Sequence, residues 1–330
     1  MPILRDIAAY ILTPERQRGC VLCVGNFDGV HRGHQRMLQT GRDLASAQNL
    51  AFVIMTFDPH PAAVLRPHQP RRPISTLEQR LALLSELHPD DILLVRTTPE
   101  FLAITPEDFL GRIVRDALGA RHMVEGPNFT FGQGARGTID TLHHSAPQFG
   151  FEAHAVETVT QALADLTLVN ISSSLIRWLI GQGRVLDAAR CLGRPFTIRG
   201  QVVRGQQRGR TLGFPTANLV TEQLLPAPGV YAGHATVQTG AGPQTYAAAI
   251  SIGTNPTFNA EKTTLEAHLL DFPGRGGVPN LVGTTELYGQ TLELRFDRWL
   301  RDMLRFSGPS PLVAQLQRDL LAVRATTSTR

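Results

Sequence analysis

The chain has little lysine, few aromatic residues and few cysteines. Lys262 is its only lysine, and the net charge of +4 comes from arginines that are scattered, apart from Arg66, Arg71 and Arg72. Nucleic-acid-binding proteins usually show a basic stripe with exposed aromatic residues, whereas aromatic residues make up only 6% of this chain. We therefore expect no nucleic-acid partner, and a mildly basic surface that handles small anionic ligands.

Three cysteines are an odd number without the spacing of a disulfide framework. Cys20 and Cys23 form a Cys-x-x-Cys pair within an apolar run that predicts a buried strand. Positions three apart on a strand point to opposite faces, so these thiols are not expected to share a metal ion. We interpret the pair as structural.

Long apolar runs are also missing, so we expect neither a membrane-spanning segment nor a membrane partner. Residues 1–6 do not have the shape of a signal peptide, because their apolar stretch is short and interrupted by charge. A cytoplasmic location is the expectation. No Gly-Lys-Ser/Thr follows the glycine-rich segment at residues 205–213, which excludes a Walker A loop there.

The two halves of the chain differ in pattern, and a length of 330 residues favours two domains. In the first half, short apolar runs alternate with amphipathic segments, which predicts a parallel sheet covered by helices. The predicted strands are residues 22–25, 51–57, 91–95, 122–126 and 151–156. The predicted helices are residues 33–49, 76–87 and 106–118.

The second half predicts a small antiparallel barrel or sandwich, because its runs alternate apolar and polar residues between glycines and prolines. These runs are residues 196–203, 230–237, 245–252, 264–270 and 291–296. A final amphipathic segment, residues 311–323, predicts a closing helix. We place the domain boundary between residues 184 and 185, which gives domains 1–184 and 185–330.

The strongest local signal is the segment at residues 25–34, which follows a predicted strand and opens a predicted helix. Glycines let a backbone approach phosphate closely, and a helix start offers free N–H groups to an anion. The imidazoles of His31 and His34 can donate hydrogen bonds to phosphate oxygens, and positive charge there would stabilise nucleotidyl transfer. The predicted ATP-binding residues here are Gly25, Phe27, Asp28, Gly29 and Gly33.

Three further segments are compatible with a nucleotide site. Residues 56–61 and 126–132 follow predicted strands, and ligands gather at the carboxyl ends of parallel strands, although each segment alone is more often a plain turn. Residues 171–177 place serines at a predicted helix start, with Arg177 one turn later. The serines could simply cap the helix, or Arg177 could reach a triphosphate, and the residues alone leave both open.

The second half carries a glycine-rich segment at residues 205–219 and an acid in an apolar strand. The side chains of Thr216 and Asn218 should share one face of an extended chain, and oxygen ligands of this kind suit Mg²⁺ bound to ATP phosphates. A plain barrel hairpin is an equal alternative. Glu266 could point to solvent, or serve as the base for a primary hydroxyl that attacks a γ-phosphate.

Taken together, these motifs resemble the bacterial bifunctional riboflavin kinase/FMN adenylyltransferase family, from about Leu22 to about Asp319. In chain order they are GNFDGVHRGH, TFDPHP, GPNFTFG, ISSSLIR, GRTLGFPTANL, GVYAG, IGTNPTF, LEAHLLDF and LYG. The resemblance implies a Rossmann-like α/β nucleotidyltransferase domain followed by an all-β Greek-key barrel of riboflavin-kinase type, closed by a helix. Ser174, Ser251 and the long loop at residues 273–285 depart from the pattern of the family.

The resemblance also implies roles for single residues. The catalytic set comprises His31, His34, Asn128, Arg177 and Glu266. Further ATP-binding residues are Ser172, Ser173, Gly205, Arg210, Gly213 and Pro215. The Mg²⁺ ligands are Thr216 and Asn218, and the flavin-binding residues are Pro59, Pro61, Phe129, Arg301 and Phe306.

The function that the resemblance implies is ATP-dependent phosphorylation of riboflavin to FMN, followed by adenylylation of FMN to FAD with release of pyrophosphate. Mg²⁺ would accompany ATP, and FMN and FAD would be substrate and product rather than prosthetic groups. The alternatives are a single-activity kinase or adenylyltransferase, an RNA-binding protein with a small barrel, and a flavin carrier without catalysis. The sequence does not indicate an oligomeric state.

Overall fold

The computed structural model describes residues 3–69, 71–205, 209, 212–240, 242–253, 263–273 and 287–327. The chain forms two compact units. The first comprises Met1–Arg72, Leu77–Gln161 and Leu168–Ser172, and the second comprises Pro73–Thr76, Ala162–Thr167 and Ser173–Arg330. Residues 173–184, which we predicted in the first domain, are grouped with the second unit, and the boundary at 184/185 stays a prediction. None of the helices in the described ranges is long and apolar enough to span a membrane.

The first unit is built around a parallel sheet of six strands in the order β1-β4-β3-β2-β5-β8, with two short ribbons, β6–β7 and β9–β10. The strands are β1 (Ile3–Arg5), β2 (Cys20–Val24), β3 (Ala51–Asp58), β4 (Asp91–Arg96), β5 (Ala120–Glu125), β6 (Thr130–Phe131), β7 (Gly137–Thr138), β8 (Glu152–Ala155), β9 (Thr160–Ala162) and β10 (Leu168–Asn170). The five strands predicted for this half are confirmed within two residues at each end.

Helices connect the strands of this sheet. They are α1 (Ile7–Ile11), α2 (Pro14–Arg18), α3 (Arg32–Gln48), α4 (Pro61–Leu65), α5 (Leu77–Ser85), α6 (Pro99–Leu102), α7 (Pro106–Asp108) and α8 (Ile139–Ser145). The helix predicted at residues 106–118 differs in its winding, because α7 passes directly into a π-helix, Phe109–Ala117.

Both faces of the sheet are buried, as a parallel sheet flanked by helices requires. Cys20 and Leu22 belong to one core cluster, whereas Val21 and Cys23 belong to another, because neighbouring strand residues point to opposite faces. All three cysteines are free and buried. The predicted alternation of Cys20 and Cys23 across a buried strand is therefore confirmed, and the structural role of the pair stays a prediction.

The order of the strands reverses at β2, which lies between β3 and β5. At such a reversal the connections leave to opposite sides, and the carboxyl ends of the two central strands border a crevice in which α/β proteins bind ligands. The motif at residues 25–34 follows β2, and the motif at residues 126–132 follows β5. The topology thus places both motifs beside the expected ligand crevice.

The second unit contains a closed antiparallel barrel of six strands in the order β11-β12-β15-β14-β13-β16. The strands are β11 (Phe196–Val203), β12 (Ala217–Val220), β13 (Gly229–Thr239), β14 (Gly242–Gly253), β15 (Thr264–Leu269) and β16 (Thr291–Arg301). Five correspond to the predicted runs. Sequence reasoning did not predict β12 as a barrel strand, because its four residues are too few to show a clear alternation.

The helices described for this unit include α9 (Ser173–Gly181), α10 (Val185–Leu192) and α11 (Pro309–Thr327). Val323 of α11 is buried against Ala232 and Leu270, on the outside of the barrel. The predicted closing helix is therefore confirmed and is longer at both ends.

Two candidate nucleotide sites

The first candidate site begins at the start of α3. Nδ1 of His31 accepts a hydrogen bond from the backbone N–H of His34 at 3.2 Å, so His31 is the N-cap of the helix. The two imidazoles stack, with ring centroids 3.6 Å apart. A Cβ atom at Gly33 would lie only 3.1 Å from the His31 ring, so a larger residue would require that ring to shift by a few tenths of an ångström. Both rings thus lie at the positive end of the helix dipole.

The His34 side chain is adapted to donate a hydrogen bond rather than to carry charge. Burial, and secondarily the neighbouring His31, lowers the pKa of His34 well below the ordinary 6.5, so its imidazole is neutral at pH 7. His34 therefore does not supply the positive charge expected at this helix start. Nδ1 of His34 and Oδ1 of Asn26 are buried and have no hydrogen-bond partner within the described part of the chain. Such atoms nearly always have partners, so both are available to a bound water or another polar group.

Arg80 of α5 fixes the loop between β2 and α3. Its guanidinium donates hydrogen bonds to the carbonyl oxygens of Asn26 and Phe57, at 2.9 and 2.8 Å. Within the loop, Phe27 and Val30 have φ values of 48° and 37°, conformations that need support from their surroundings. Burial lowers the pKa of Arg80, while Asp28 and Asp58 oppose that shift. Sequence reasoning missed Arg80, because it lies in an ordinary amphipathic helix.

Glu125, at the end of β5, supports the same loop from the other side. Its Oε1 accepts a hydrogen bond from the backbone N–H of Val24 at 2.7 Å. Backbone pairing between β2 and β5 ends at Leu22 and Met123, so this carboxyl group takes the place of the next ladder bond. Burial raises the pKa of Glu125 well above 4.5. Sequence reasoning missed this residue too; an acid inside an apolar run was the available signal.

The motif after β5 forms a turn closed by a hydrogen bond from Phe129 N–H to the Gly126 carbonyl oxygen at 3.1 Å. Asn128 is exposed in this turn, and the Phe129 ring packs against Phe131 with centroids 5.4 Å apart. The predicted roles of Asn128 and Phe129 stay predictions.

The motif after β3 leads into α4. Pro59 follows a cis peptide bond and is exposed, and Pro61 is the first residue of α4. A cavity of about 280 Å³ lies beside this helix, lined by Ala62, Leu65, Arg66, Gln69 and Arg71. Its two arginines, Arg66 and Arg71, are exposed. The flavin-binding roles of Pro59 and Pro61 stay predictions.

The serine-rich motif lies where the two units divide. Ser172 is the last residue of the first unit, and Ser173 begins α9 in the second. Arg177 lies one turn into α9 and is partly buried. The nucleotide-binding roles of Ser172, Ser173 and Arg177 stay predictions.

The second candidate site is centred on Glu266 of β15. Asn218 of β12 and Ser251 of β14 lie directly opposite Glu266 in the strand register. Leu265 and Ala267 are buried inside the barrel, so Glu266 lies on the outer face. Its carboxylate is not simply solvated there, because it accepts hydrogen bonds from two threonines.

The hydroxyl groups of Thr216 and Thr264 donate to the two carboxylate oxygens of Glu266, each at 3.0 Å. A Cβ atom at Gly205 would overlap the Asn218 carboxamide, so the backbone approaches Asn218 closely. Of the residues predicted as metal ligands and base, Thr216 is therefore hydrogen-bonded to Glu266, and Asn218 lies opposite Glu266 on the neighbouring strand. Thr264 was not predicted, although it shares the face of Glu266 two positions away.

His268 positions the chain that carries Thr216. Its Nδ1 lies 2.7 Å from the carbonyl oxygen of Pro215, and it therefore donates a hydrogen bond. Burial lowers the pKa of His268 below 6.5, which keeps the ring neutral at pH 7. Sequence reasoning missed this role, although His268 also shares the face of Glu266. Gly213, in the same loop, has a φ of 83°; Arg210 lies outside the described residues.

Arg301, at the end of β16, contacts both Asp319 and Phe306. Its Nη2 lies 2.7 Å from Oδ2 of Asp319 on α11, and its guanidinium carbon lies 5.8 Å from the centre of the Phe306 ring. The charge of Arg301 therefore anchors the closing helix. The flavin-binding roles of Arg301 and Phe306 stay predictions.

In comparisons with known proteins, two different families match the two halves of the chain. The family model for FAD synthetase matches residues 13–173, and the family model for riboflavin kinase matches residues 192–327. A bifunctional riboflavin kinase/FMN adenylyltransferase of Escherichia coli (strain K12) is 33% identical over 325 residues, covering 98% of this chain and 97% of its own. The protein of the same name from Bacillus subtilis (strain 168) is 32% identical over 314 residues, covering 93% and 92%.

A crystal structure from Streptococcus pneumoniae, described as a macrolide-efflux protein, has a TM-score of 0.78 and 31% identity over 98% of both chains. Its description names efflux, whereas both family models and the curated relatives name flavin enzymes, so we use this likeness for the fold alone. From the two family models and from relatives of similar length, we conclude that the chain belongs to the bifunctional riboflavin kinase/FMN adenylyltransferase family.

Proposed function

We propose that this chain makes FMN from riboflavin and ATP at the barrel, and FAD from FMN and a second ATP at the α/β unit. The observation that carries the proposal is the presence of two separate polar clusters. One is the imidazole pair at the start of α3, and the other is the oxygen cluster around Glu266. Each cluster lies within the segment that matches the corresponding family model.

At the barrel, Glu266 would accept the proton of the primary hydroxyl of riboflavin. The hydroxyl oxygen forms a bond to the γ-phosphorus of ATP, the bond between that phosphorus and the β,γ-bridging oxygen breaks, and ADP leaves. The hydroxyls of Thr216 and Thr264 hold both carboxylate oxygens, and so fix the direction of proton transfer.

The cluster around Glu266 fits Mg²⁺. Thr216 and Asn218 supply neutral oxygen atoms beside a carboxylate, and hard oxygen ligands are what Mg²⁺ prefers. The lack of a Cβ atom at Gly205 leaves the Asn218 carboxamide in place. We assign Thr216 and Asn218 as the residues that hold the ion, which would neutralise charge on the ATP phosphates.

At the α/β unit, a phosphate oxygen of FMN would attack the α-phosphorus of ATP. The bond from that phosphorus to the α,β-bridging oxygen breaks, and pyrophosphate leaves. No covalent bond to the protein is needed, so catalysis consists of alignment and charge stabilisation. The N-terminus of α3 and the N–H groups of the imidazoles would supply hydrogen bonds to the phosphates.

The test is a timed chromatographic assay of purified chain with riboflavin, ATP and Mg²⁺, in which FMN should appear before FAD. Glu266→Gln should lower FMN formation by about 10²–10⁴-fold, the usual contribution of a general base. FAD formation from supplied FMN should be unchanged. His31→Ala should lower FAD formation by about 10²–10³-fold and spare FMN formation.

Two matched controls are available. Glu293→Gln removes an acid from β16 of the same barrel, and His144→Ala removes an exposed imidazole from α8. Both should keep both activities. The kinase proposal is refuted if the wild-type chain forms no FMN, and the adenylyltransferase proposal if FMN accumulates without FAD. Flavin binding without ATP turnover would favour a carrier, and a salt-sensitive gel shift would favour an RNA-binding protein.

A further inference from the structure

The edge of the parallel sheet brings three metal-binding side chains together, away from the residues assigned above. In the register of β5 and β8, His122 lies opposite Glu152, and His154 lies two residues further along β8. All three side chains therefore share one face of the sheet. His122 is buried, His154 is partly buried and Glu152 is exposed.

The ligand atoms of these side chains converge. Nδ1 of His122 lies 3.1 Å from Nε2 of His154. Oε2 of Glu152 lies 3.6 Å from the first nitrogen and 3.9 Å from the second. A hydrogen bond between the imidazoles would account for the shortest distance, but it gives no role to the carboxylate that approaches both nitrogens.

The distances suit a shared ion. Imidazole nitrogens bind Zn²⁺ at about 2.0–2.1 Å, so two nitrogens on one ion lie roughly 2.9–3.4 Å apart for octahedral to tetrahedral angles. The observed 3.1 Å falls within that range. Carboxylate oxygens bind Zn²⁺ at about 2.0–2.2 Å, and a shift of a few tenths of an ångström, about what an exposed side chain allows, would bring Glu152 to that distance.

We propose that His122, Glu152 and His154 form a binding site for a divalent transition-metal ion of the zinc class, with solvent completing the coordination. Two imidazoles with one carboxylate favour Zn²⁺, Co²⁺ or Ni²⁺ over Mg²⁺, which prefers oxygen ligands alone. The site is therefore chemically distinct from the Mg²⁺ site at the barrel.

The electrostatic surroundings are compatible with this assignment. Burial, followed by His122 and His143, lowers the pKa of His154, while Glu152 raises it, and the net shift is downward. A neutral imidazole, as this shift favours for His154, coordinates a metal ion without first losing a proton. Because β8 is the edge strand of the sheet, the ion would tie this strand to β5 and stabilise the α/β unit rather than take part in phosphate chemistry.

The test uses the full chain, freed of metal with a chelator and titrated with Zn²⁺ by calorimetry and with Co²⁺ by visible absorption. We expect saturable binding of one ion and a rise in unfolding temperature that Mg²⁺ does not reproduce. Outer-sphere partners of a metal site are worth about 10–100-fold in affinity, so removal of a ligand in His154→Gln or Glu152→Gln should weaken Zn²⁺ binding at least tenfold.

The control is His144→Gln, which changes an exposed imidazole on α8 and should bind Zn²⁺ like the wild type. Circular dichroism of the metal-free variants confirms that they are folded. The site is refuted if the wild-type chain shows no saturable Zn²⁺ binding, or if His154→Gln and Glu152→Gln keep the wild-type affinity. None of these readouts depends on flavin chemistry, so the result stands apart from the proposed activities.

Discussion

The two candidate sites hold their functional groups in different ways. In the α/β unit, the site residues lie on loops that leave parallel strands, and buried side chains such as Arg80 and Glu125 fix those loops through their backbone. In the barrel, strand register itself aligns the site, because Asn218, Glu266 and Ser251 lie side by side on three neighbouring strands. Sequence alternation shows which strand residues share a face with Glu266. It does not show which distant side chains, such as Arg80 and Glu125, hold a loop in place.

Among substitutions outside the catalytic residues, the largest effect should come from adding a methyl group at Gly205, where the backbone approaches a site residue closely. Gly205→Ala would force the Asn218 carboxamide away from Glu266, and we expect FMN formation to fall by about 100-fold, the usual cost of a displacement near 1 Å. Gly33→Ala needs only a small shift of the His31 ring, so FAD formation should fall by roughly tenfold. The measurement is the rate of FMN formation from riboflavin and, separately, the rate of FAD formation from FMN in each variant and in the wild type.

Gly181→Ala is the control, because an added Cβ atom there would meet nothing within 4 Å. It should leave both rates unchanged. If Gly33→Ala lowered FAD formation by a larger factor than Gly205→Ala lowers FMN formation, the loop site would be the less tolerant of displacement, and the barrel site the more tolerant.

An intermediate effect is expected from Arg80→Lys. An ammonium group cannot reproduce the fork that bonds two carbonyl oxygens, so one carbonyl would lose its partner, at a cost of about 1–3 kcal/mol. FAD formation should fall by roughly 10–100-fold, which corresponds to that cost, and FMN formation should persist. Steady-state rates for both products test this expectation. An unchanged rate of FAD formation would show that the loop between β2 and α3 does not depend on Arg80.

His268→Phe is the counterpart in the barrel. It removes the hydrogen bond from His268 to the Pro215 carbonyl oxygen, while β12 remains paired with β15. We expect FMN formation to fall by about tenfold, without change in FAD formation from FMN. A loss as large as that of Glu266→Gln would mean that strand register alone does not align the barrel site.

The last prediction concerns the free energy of unfolding rather than a reaction rate. In the unfolded chain Glu125 loses its proton near pH 4.5, whereas burial keeps it protonated to higher pH in the folded chain. Above pH 4.5 folding therefore takes up a proton, and stability falls by up to about 1.4 kcal/mol per pH unit until the folded group ionises. Glu125→Gln cannot titrate, and its oxygen can still accept the Val24 N–H.

The variant should therefore gain free energy of unfolding relative to the wild type as the pH rises from 5 to 7. Denaturant titrations at both values measure the difference, and Glu157→Gln, at an exposed position, is the control. If the difference in free energy of unfolding between Glu125→Gln and the wild type were the same at pH 5 and at pH 7, Glu125 would not be protonated in the folded state over that range.

Local patterns in the sequence were sufficient to predict the fold class, most strands and the motif loops. Alternation with a period of two predicted the strand of Glu266, although not that the side chains of Thr264 and His268 belong to the same site. The strand of Asn218 is too short to show such alternation. Arg80 was beyond reach, because it contacts Asn26 across 54 positions through a sheet order that no local period encodes. The π-helix was missed because its apolar spacing resembles that of an α-helix.

The strand β16 pairs with both β11 and β13, and so joins the first strand of the barrel to its middle. During synthesis, one edge of β11 and one edge of β13 stay unpaired until β16, which begins at residue 291, has been synthesised. The strands of the parallel sheet, in contrast, are all present once residue 155 has been synthesised. Open strand edges invite pairing with other chains. A premature stop before β16 should therefore yield a chain with a finished α/β unit and an aggregation-prone remainder.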